Sequence, residues 1–196
     1  MSDNTFDSPF SWRYGSREMR QLWSEFEKHR LWRRIWIELA RAMEAAGLVT
    51  PEQRADLERA TEPIDLDRIA EIEAEIQHDL MAAVRAFAEQ APLGGPVIHL
   101  GATSADIADN ADALRLRAAL SLIQSRLAAL LRALAGRALD WSDVPVMAFT
   151  HLQPAEPAAA GYRLCLYLQD LAFDYAKVSQ MRDEVRGKGL KGAVGT

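Results

Sequence analysis

Polar side chains and a predicted helix start coincide in the stretch His99–Asn110. Gly101 permits a turn, the hydroxyls of Thr103 and Ser104 follow it, and Asp106 falls in the first turn of the apolar-periodic segment beyond. The unpaired N–H groups and the positive dipole end of a helix favour a negative charge. The stretch therefore predicts either an anion-binding helix start or an ordinary helix cap formed by Ser104.

A second polar stretch places His151 between Thr150 and Gln153, in a segment whose prolines exclude a helix. Histidine has an ordinary pKa of about 6.5, so it can hold and release a proton near neutral pH. This stretch predicts either a general acid or a buried structural loop whose polar groups are hydrogen-bonded.

The elements that must position these residues are helices. Hydrophobic residues make up 49% of the 196 residues and charged residues 26%, with leucine, alanine, arginine and glutamate prominent, which is typical of an all-α protein. Residues 1–12 lack periodicity and predict a loosely held arm. Apolar spacing predicts one helix over 18–46, stopped by Gly47, a short helix opened by Thr50-Pro51, and one helix over 66–89.

The proline and glycine cluster at 91–96 is the clearest break in the chain, so we predict a small N-terminal helical domain at 1–98 and a second domain at 99–196. In the second domain, two long helices are expected, over 104–140 and from Pro157 to about Val185. Their four-three spacing of leucines is typical of a central helical bundle. The single cysteine, Cys165, is expected to be packed in the core.

Several stretches resemble the adenylosuccinate lyases, a family of the fumarase/aspartase superfamily. The stretches are Arg13-Tyr-Gly-Ser16, Gln77-His-Asp79, Ile98-His-Leu-Gly-Ala-Thr-Ser104, Phe149-Thr-His-Leu-Gln-Pro-Ala155, and the segment from Arg163 with the glycine-rich tail, which resembles the animal-type branch. They occur in the family's order and cover nearly all of residues 11–196.

The resemblance implies a fumarate-releasing C–N lyase acting on a nucleotide, with no cofactor and no metal. His151 is then the general acid. The phosphate and ribose side is addressed by Arg13, Tyr14, His78 and Asp79. The succinyl carboxylate or a neighbouring anionic group is held by Thr103 and Ser104. Thr150 is a further substrate-binding candidate, and His99 and Gln153 are candidate supporting residues. His99 either contacts the substrate or orients the turn that follows it.

The chain departs from the family pattern at two points. Gln77 stands where the family has arginine, so one contact to an anion of the substrate is expected to lack its charge. The family's base is a serine in a Ser-Ser-x-Met-Pro-x-Lys loop, and that motif is missing from these 196 residues. We expect a fragment of a longer enzyme rather than a natural truncation, and a chain that is inactive alone. The glycine-rich tail fits either an anion cradle or a plain turn.

Charge and composition exclude other classes of partner. A net charge of −5 argues against a general nucleic-acid or membrane-surface protein. Charged residues interrupt every apolar stretch of membrane-spanning length, and the N-terminus lacks a signal-peptide pattern, so a cytoplasmic protein is expected. The family implies a homotetramer with shared sites. The alternatives are another lyase of the superfamily, acting on argininosuccinate, fumarate or a carboxymuconate, and a non-catalytic helical assembly module.

Overall fold

The computed structural model describes residue 8 and residues 10–195, and it confirms the all-α prediction apart from one small hairpin. Most of the predicted arm at 1–12 lies outside the described residues. A one-turn π-helix at Phe10–Tyr14 precedes the first α-helix, and a short 3-10 turn occupies Gly95–Val97. The main elements are α1 (Arg17–Leu22), α2 (Glu25–Ala45), α3 (Pro51–Arg59), α4 (Leu66–Ile76), α5 (Asp79–Gln90), α6 (Ser104–Asp140), β1 (Pro145–Thr150), β2 (Gln153–Ala159) and α7 (Ala160–Glu184).

The single helix predicted over 18–46 is wrong, because the structure has two helices there. Ser24 interrupts the run: its hydroxyl accepts a hydrogen bond from the Glu27 N–H at 3.2 Å and so caps α2 as a new helix. The predicted stop is confirmed, since Gly47 follows the end of α2 with a φ of +74°. The predicted cap is also confirmed: Thr50 and Gln53 form a reciprocal capping box at the start of α3.

The single helix predicted over 66–89 is also wrong. Gln77 adopts a left-handed backbone with a φ of +56° and ends α4, and the His78 imidazole caps α5 by accepting from the Met81 N–H at 3.4 Å. Neither glycine nor proline marks this break. Gln77, His78 and Asp79 therefore lie at a joint between two helices rather than along one helix.

The described chain divides into two compact units. The first takes in the described residues up to Arg115 together with those from Arg186 onward, and the second is Leu116–Val185. The domain boundary predicted after residue 98 stays a prediction. The first unit has one apolar core, to which α2, α5 and the first turns of α6 contribute their largest buried side chains: Trp32, Trp36, Leu80, Phe87 and Ile107.

A buried carboxylate ties the proline and glycine break to this core. Asp56 of α3 accepts hydrogen bonds from the N–H groups of Leu93 and Gly94 at 2.8 and 3.0 Å. These bonds hold its pKa below the ordinary value, the Gly94 bond contributing most. The segment that leads into His99 is thereby anchored to α3.

The two predicted long helices are confirmed as α6 and α7. The second unit contains all of α7 and the part of α6 from Leu116 onward. The side-chain amide of Gln124 on α6 donates to the Ser179 hydroxyl on α7 at 2.7 Å. Cys165 is exposed on α7, so the expectation of a core thiol is wrong. By length and composition alone, α6 could cross a membrane, since it contains an 18-residue window with a mean hydropathy of 1.3.

The segment between these helices is non-helical, as predicted, but it forms a hairpin that the prolines and polar residues of the segment do not indicate. β1 and β2 pair antiparallel with Thr150 opposite Gln153 and Pro145 opposite Ala159, and an irregularity lies between Met147 and Phe149. The two-residue turn is His151-Leu152, and both residues have positive φ, as in a type I′ turn. Asparagine and glycine usually occupy such turns, so a turn made of histidine and leucine is not predicted from the sequence.

Candidate active site

The helix α6 begins where the sequence predicts, but its cap lies one residue earlier than predicted. α6 begins at Ser104, so Thr103 rather than Ser104 occupies the capping position. The Thr103 N–H donates to the carboxylate of Asp106 at 3.1 Å, and the Asp106 N–H donates to the Thr103 carbonyl oxygen at 2.9 Å. The side chains of Thr103 and Ser104 are half-buried.

Asp106 is the anion that the structure places at this helix start. Its side chain is fully buried, and it also accepts from the N–H groups of Lys191 and Gly192 in the glycine-rich tail, at 3.2 and 2.8 Å. The Thr103 N–H, followed by the two tail N–H groups, lowers the pKa of this carboxyl. Two backbone groups of the tail thus bind an anion of the chain itself.

Replacing Asp106 with asparagine should release the tail. The amide keeps one acceptor oxygen but loses the charge that strengthens its hydrogen bonds with Thr103, Lys191 and Gly192. We expect the amides of Lys191 and Gly192 to exchange with solvent at least about 10-fold faster. Hydrogen exchange followed by NMR measures this.

Asp109→Asn is the matched control, because this exposed carboxylate one turn along α6 pairs with the tail side chain of Lys188, at 3.3 Å, and not with the tail backbone N–H groups that Asp106 binds. It should leave the two tail amides protected. Equal exchange rates in the Asp106 and Asp109 variants would show that the buried carboxylate does not hold the tail.

His99 lies directly before this turn and is hydrogen-bonded to the core. Its Nδ1 accepts from the indole N–H of Trp36 at 3.2 Å, with the two rings nearly perpendicular. Burial lowers the pKa of His99; nearby Asp106 opposes that shift and His78 adds to it. The two imidazoles and the helix start therefore share one region of the first unit.

Arg13 and Tyr14 form the last turn of the π-helix that precedes α1. Both side chains are exposed, and the Tyr14 ring lies 5.9 Å from that of Phe10. Ser16 caps α1, accepting from the Met19 N–H at 3.2 Å. The pair's predicted role toward a phosphate stays a prediction.

His151 lies at the tip of the hairpin in the second unit. Its side chain and those of Thr150 and Gln153 are exposed, so the hypothesis of a buried structural loop is wrong. Arg163 of α7 donates to the Met147 carbonyl oxygen in β1 and so braces the hairpin from outside the tip. The imidazole is thus presented on a short, supported turn.

Backbone conformation singles out the predicted residues. Among the residues that the structure describes, four non-glycine residues have a positive φ: Gln77, His99, His151 and Leu152. The first three are site candidates, and Leu152 shares the turn with His151. Each such conformation costs roughly 1–2 kcal/mol for an L-residue, and strain of this kind concentrates at functional sites.

The predicted site residues fall into two groups, one in each unit. Thr150, His151 and Gln153 belong to the second unit, and the others belong to the first. Nothing in the local sequence indicates Trp36 as a partner of His99, and the spacing gives Asp106 no more than a place in the first turn of the helix. Within residues 8 and 10–195, no cluster of three or more histidine, cysteine, aspartate or glutamate side chains has the arrangement needed to hold a metal ion.

Comparison with curated proteins supports the family resemblance. The chain is 37% identical to adenylosuccinate lyase of Schistosoma mansoni over 193 residues, which is 97% of this chain and 40% of that protein. It is also 37% identical to adenylosuccinate lyase of Archaeoglobus fulgidus, over 96% of this chain and 42% of that protein. The chain spans about 40% of the length of these curated relatives.

Solved structures with the same fold include two enzymes. A fumarate lyase from Mesorhizobium superposes with a TM-score of 0.83 at 28% identity, covering 91% of this chain and 43% of that one. The 3-carboxy-cis,cis-muconate lactonizing enzyme of Pseudomonas putida gives 0.83 at 29% identity, over 95% and 44%. The sequence profile of the lyase family matches residues 14–196. This match takes in the helix start at Ser104 and the hairpin tip at His151, and the chain belongs to the lyase family.

Proposed function

We propose that the protein containing this chain is an adenylosuccinate lyase of purine nucleotide biosynthesis. It would release fumarate from adenylosuccinate, giving AMP, and from the succinyl-aminoimidazole-carboxamide ribotide. The observation that carries this proposal is the continuous similarity to curated adenylosuccinate lyases over 96–98% of the chain. That similarity spans both groups of candidate residues.

The chemistry assigns His151 a single proton transfer. A base removes a proton from the carbon next to a carboxylate of the succinyl group, the electron pair forms the new C=C bond, and the C–N bond breaks. His151 gives its proton to the departing nitrogen. An exposed imidazole on a braced turn suits this task, because it must meet the substrate from the protein surface.

The first unit supplies the binding groups in this proposal. Thr103 and Ser104 offer side-chain hydroxyls for a carboxylate of the substrate, while the Thr103 N–H stays bonded to Asp106. In the second unit, Thr150 and Gln153 flank the acid. Arg13 and Tyr14 address the phosphate, since a guanidinium can grip a phosphate through two hydrogen bonds. His78 and Asp79 address the ribose side, and Gln77 contributes an uncharged amide where the family has arginine.

We further propose a cytoplasmic homotetramer in which each site takes groups from more than one chain. In the second unit, α6 exposes Leu116, Ile123 and Leu130 at seven-residue intervals, and α7 exposes Tyr162, Leu166 and Phe173 along one face. Such stripes are typical of helices that pack in a bundle.

A lipid bilayer is a less suitable environment for α6 than a bundle of helices. Arg126 and Arg132 interrupt its apolar part, and each arginine at the centre of a membrane helix costs roughly 2.5–3.5 kcal/mol. The net charge of −5 likewise disfavours a nucleic-acid partner.

A second candidate function is another lyase of the same superfamily. The superposed fumarate lyase and muconate lactonizing enzyme favour it, since this fold serves more than one substrate. The candidate phosphate-binding pair of Arg13 and Tyr14 discriminates between the two candidates, because a substrate without a nucleotide offers that pair no phosphate.

The test is an assay of the protein expressed from its complete reading frame. We expect fumarate release from adenylosuccinate and from its ribotide counterpart, and light scattering should give the mass of four chains. Turnover of argininosuccinate or a carboxymuconate instead would select the second candidate. No turnover, with a melting temperature unmoved by AMP and by fumarate, would favour a helical assembly module.

A further inference from the structure

The hydrogen bond between Trp36 and His99 decides which nitrogen of the imidazole carries the proton. An indole N–H only donates, so the Nδ1 atom that accepts from it at 3.2 Å must be unprotonated. In the neutral ring the proton then resides on Nε2. His99 is therefore a hydrogen-bond donor on the side away from Trp36.

The surroundings of Trp36 keep this bond in place. The indole is 2% exposed, and its ring lies 6.3 Å from that of Trp32 and 6.2 Å from that of Phe87. A ring packed in this way cannot turn its N–H elsewhere without opening the core. His99 is held from its own side by the left-handed backbone at the start of the turn, with a φ of +66°.

A charged His99 is disfavoured by the same geometry. Protonating Nδ1 would set one N–H against another and leave the buried indole N–H without its acceptor. The lowered pKa of His99 agrees with this, its main cause being burial. Asp106 is the nearby group that would favour the charged form, and His78 disfavours it.

We propose that Trp36 is a positioning residue that fixes His99 in the Nε2–H form, so that His99 offers a neutral hydrogen bond to an oxygen of the substrate and transfers no proton. The fixed tautomer stands independently of the proposed function, whereas the contact with substrate rests on it. The proposal separates the roles of the two histidines: His151 moves a proton and His99 does not.

The tautomer is measured by ¹⁵N NMR of the imidazoles in the full chain, which contains four histidines. His99→Gln identifies the signals of His99 by their loss. In the unaltered chain we expect two widely separated nitrogen shifts, with Nδ1 bare and Nε2 protonated. In Trp36→Phe, which keeps an aromatic ring without the donor, both shifts should move toward each other as the tautomers mix.

Trp32→Phe is the matched control, since it removes a neighbouring buried indole on the same helix and leaves the bond to His99 in place. It should keep the two nitrogen shifts apart. A protonated Nδ1 in the unaltered chain would overturn the proposal, and so would an unchanged spectrum in Trp36→Phe. The first of these outcomes is measured on the unaltered chain and needs His99→Gln only to assign the signals.

The contact with substrate is tested separately in the complete protein. Glutamine at position 99 can place an amide N–H near the position of Nε2, whereas asparagine is too short to reach it. We expect KM to be at least about 10-fold higher in His99→Asn than in His99→Gln, with a smaller difference in kcat. Equal KM values would overturn the donor role and leave the tautomer result standing.

Discussion

His151→Ala should lower kcat for fumarate release by at least about 100-fold, the lower end of what a positioned general acid contributes. Without the imidazole, the nitrogen must leave as a poorly stabilised anion or take its proton from water. KM should change less than kcat, because the proton transfer belongs to the transition state rather than to binding. Steady-state kinetics on the complete protein with adenylosuccinate measure both constants.

The substitution should leave the stability of the protein nearly unchanged, because the His151 side chain is exposed at the tip of the hairpin. A slower rate can therefore be assigned to the lost imidazole. His151→Asn provides a second check, since asparagine tolerates the positive φ of this turn yet cannot donate a proton as an acid. It should be as slow as the alanine variant. Leu152→Asn alters the same turn, leaves the imidazole present, and should keep the rate close to that of the unaltered protein. A rate near normal in both His151 variants would show that His151 is not the general acid.

The long helices could be predicted because their signal is local and repeated. The α6 bounds at Ser104 and Asp140 follow from apolar spacing maintained over ten turns, and Gly47 and Thr50 mark their helix ends by backbone conformation and capping chemistry. Family motifs then located the candidate residues along the chain. Neither kind of signal depends on contacts between distant residues.

The breaks and the hairpin could not be predicted because ordinary residues adopt unusual conformations there. Gln77 ends α4 in a left-handed conformation, and His151 and Leu152 form a turn that usually contains glycine or asparagine. A local propensity argument assigns these residues to a helix or a plain connector. Their conformations must be held by the surrounding fold, since the sequence at each position disfavours them.

The partners of the candidate residues are long-range, and sequence spacing does not reveal them. Trp36 lies 63 residues before His99. Its spacing predicts an aromatic side chain of the core, and the structure confirms that it is buried there. Asp106 carries a weak local signal, three residues after Thr103 as in a capping box, but its burial beneath the tail depends on residues 85 positions away. The residues that touch substrate in our proposal were thus easier to predict than those that hold them.

Gly161→Ala should destabilise the chain by at least about 3 kcal/mol, at the upper end of the cost of overpacking. Gly161 is buried in the first turn of α7, and its N–H donates to the Trp141 carbonyl oxygen at 2.9 Å. A methyl group there would lie 2.2 Å from the Ala138 carbonyl oxygen and 3.0 Å from the Trp141 backbone. These atoms belong to the last turn of α6 and the residue after it, so relief requires α7 to move away from the end of α6. Urea unfolding of the full chain measures the loss.

Gly136→Ala is the matched control, because Gly136 lies inside α6 with no atom within 4 Å of the added methyl group. Alanine there gains the ordinary helix preference over glycine, so this variant should be more stable by about 0.5–1 kcal/mol. The two identical substitutions thus change stability in opposite directions, and packing alone accounts for the difference. If Gly161→Ala unfolded at the same urea concentration as the unaltered chain, the close approach of α7 to the end of α6 would be wrong.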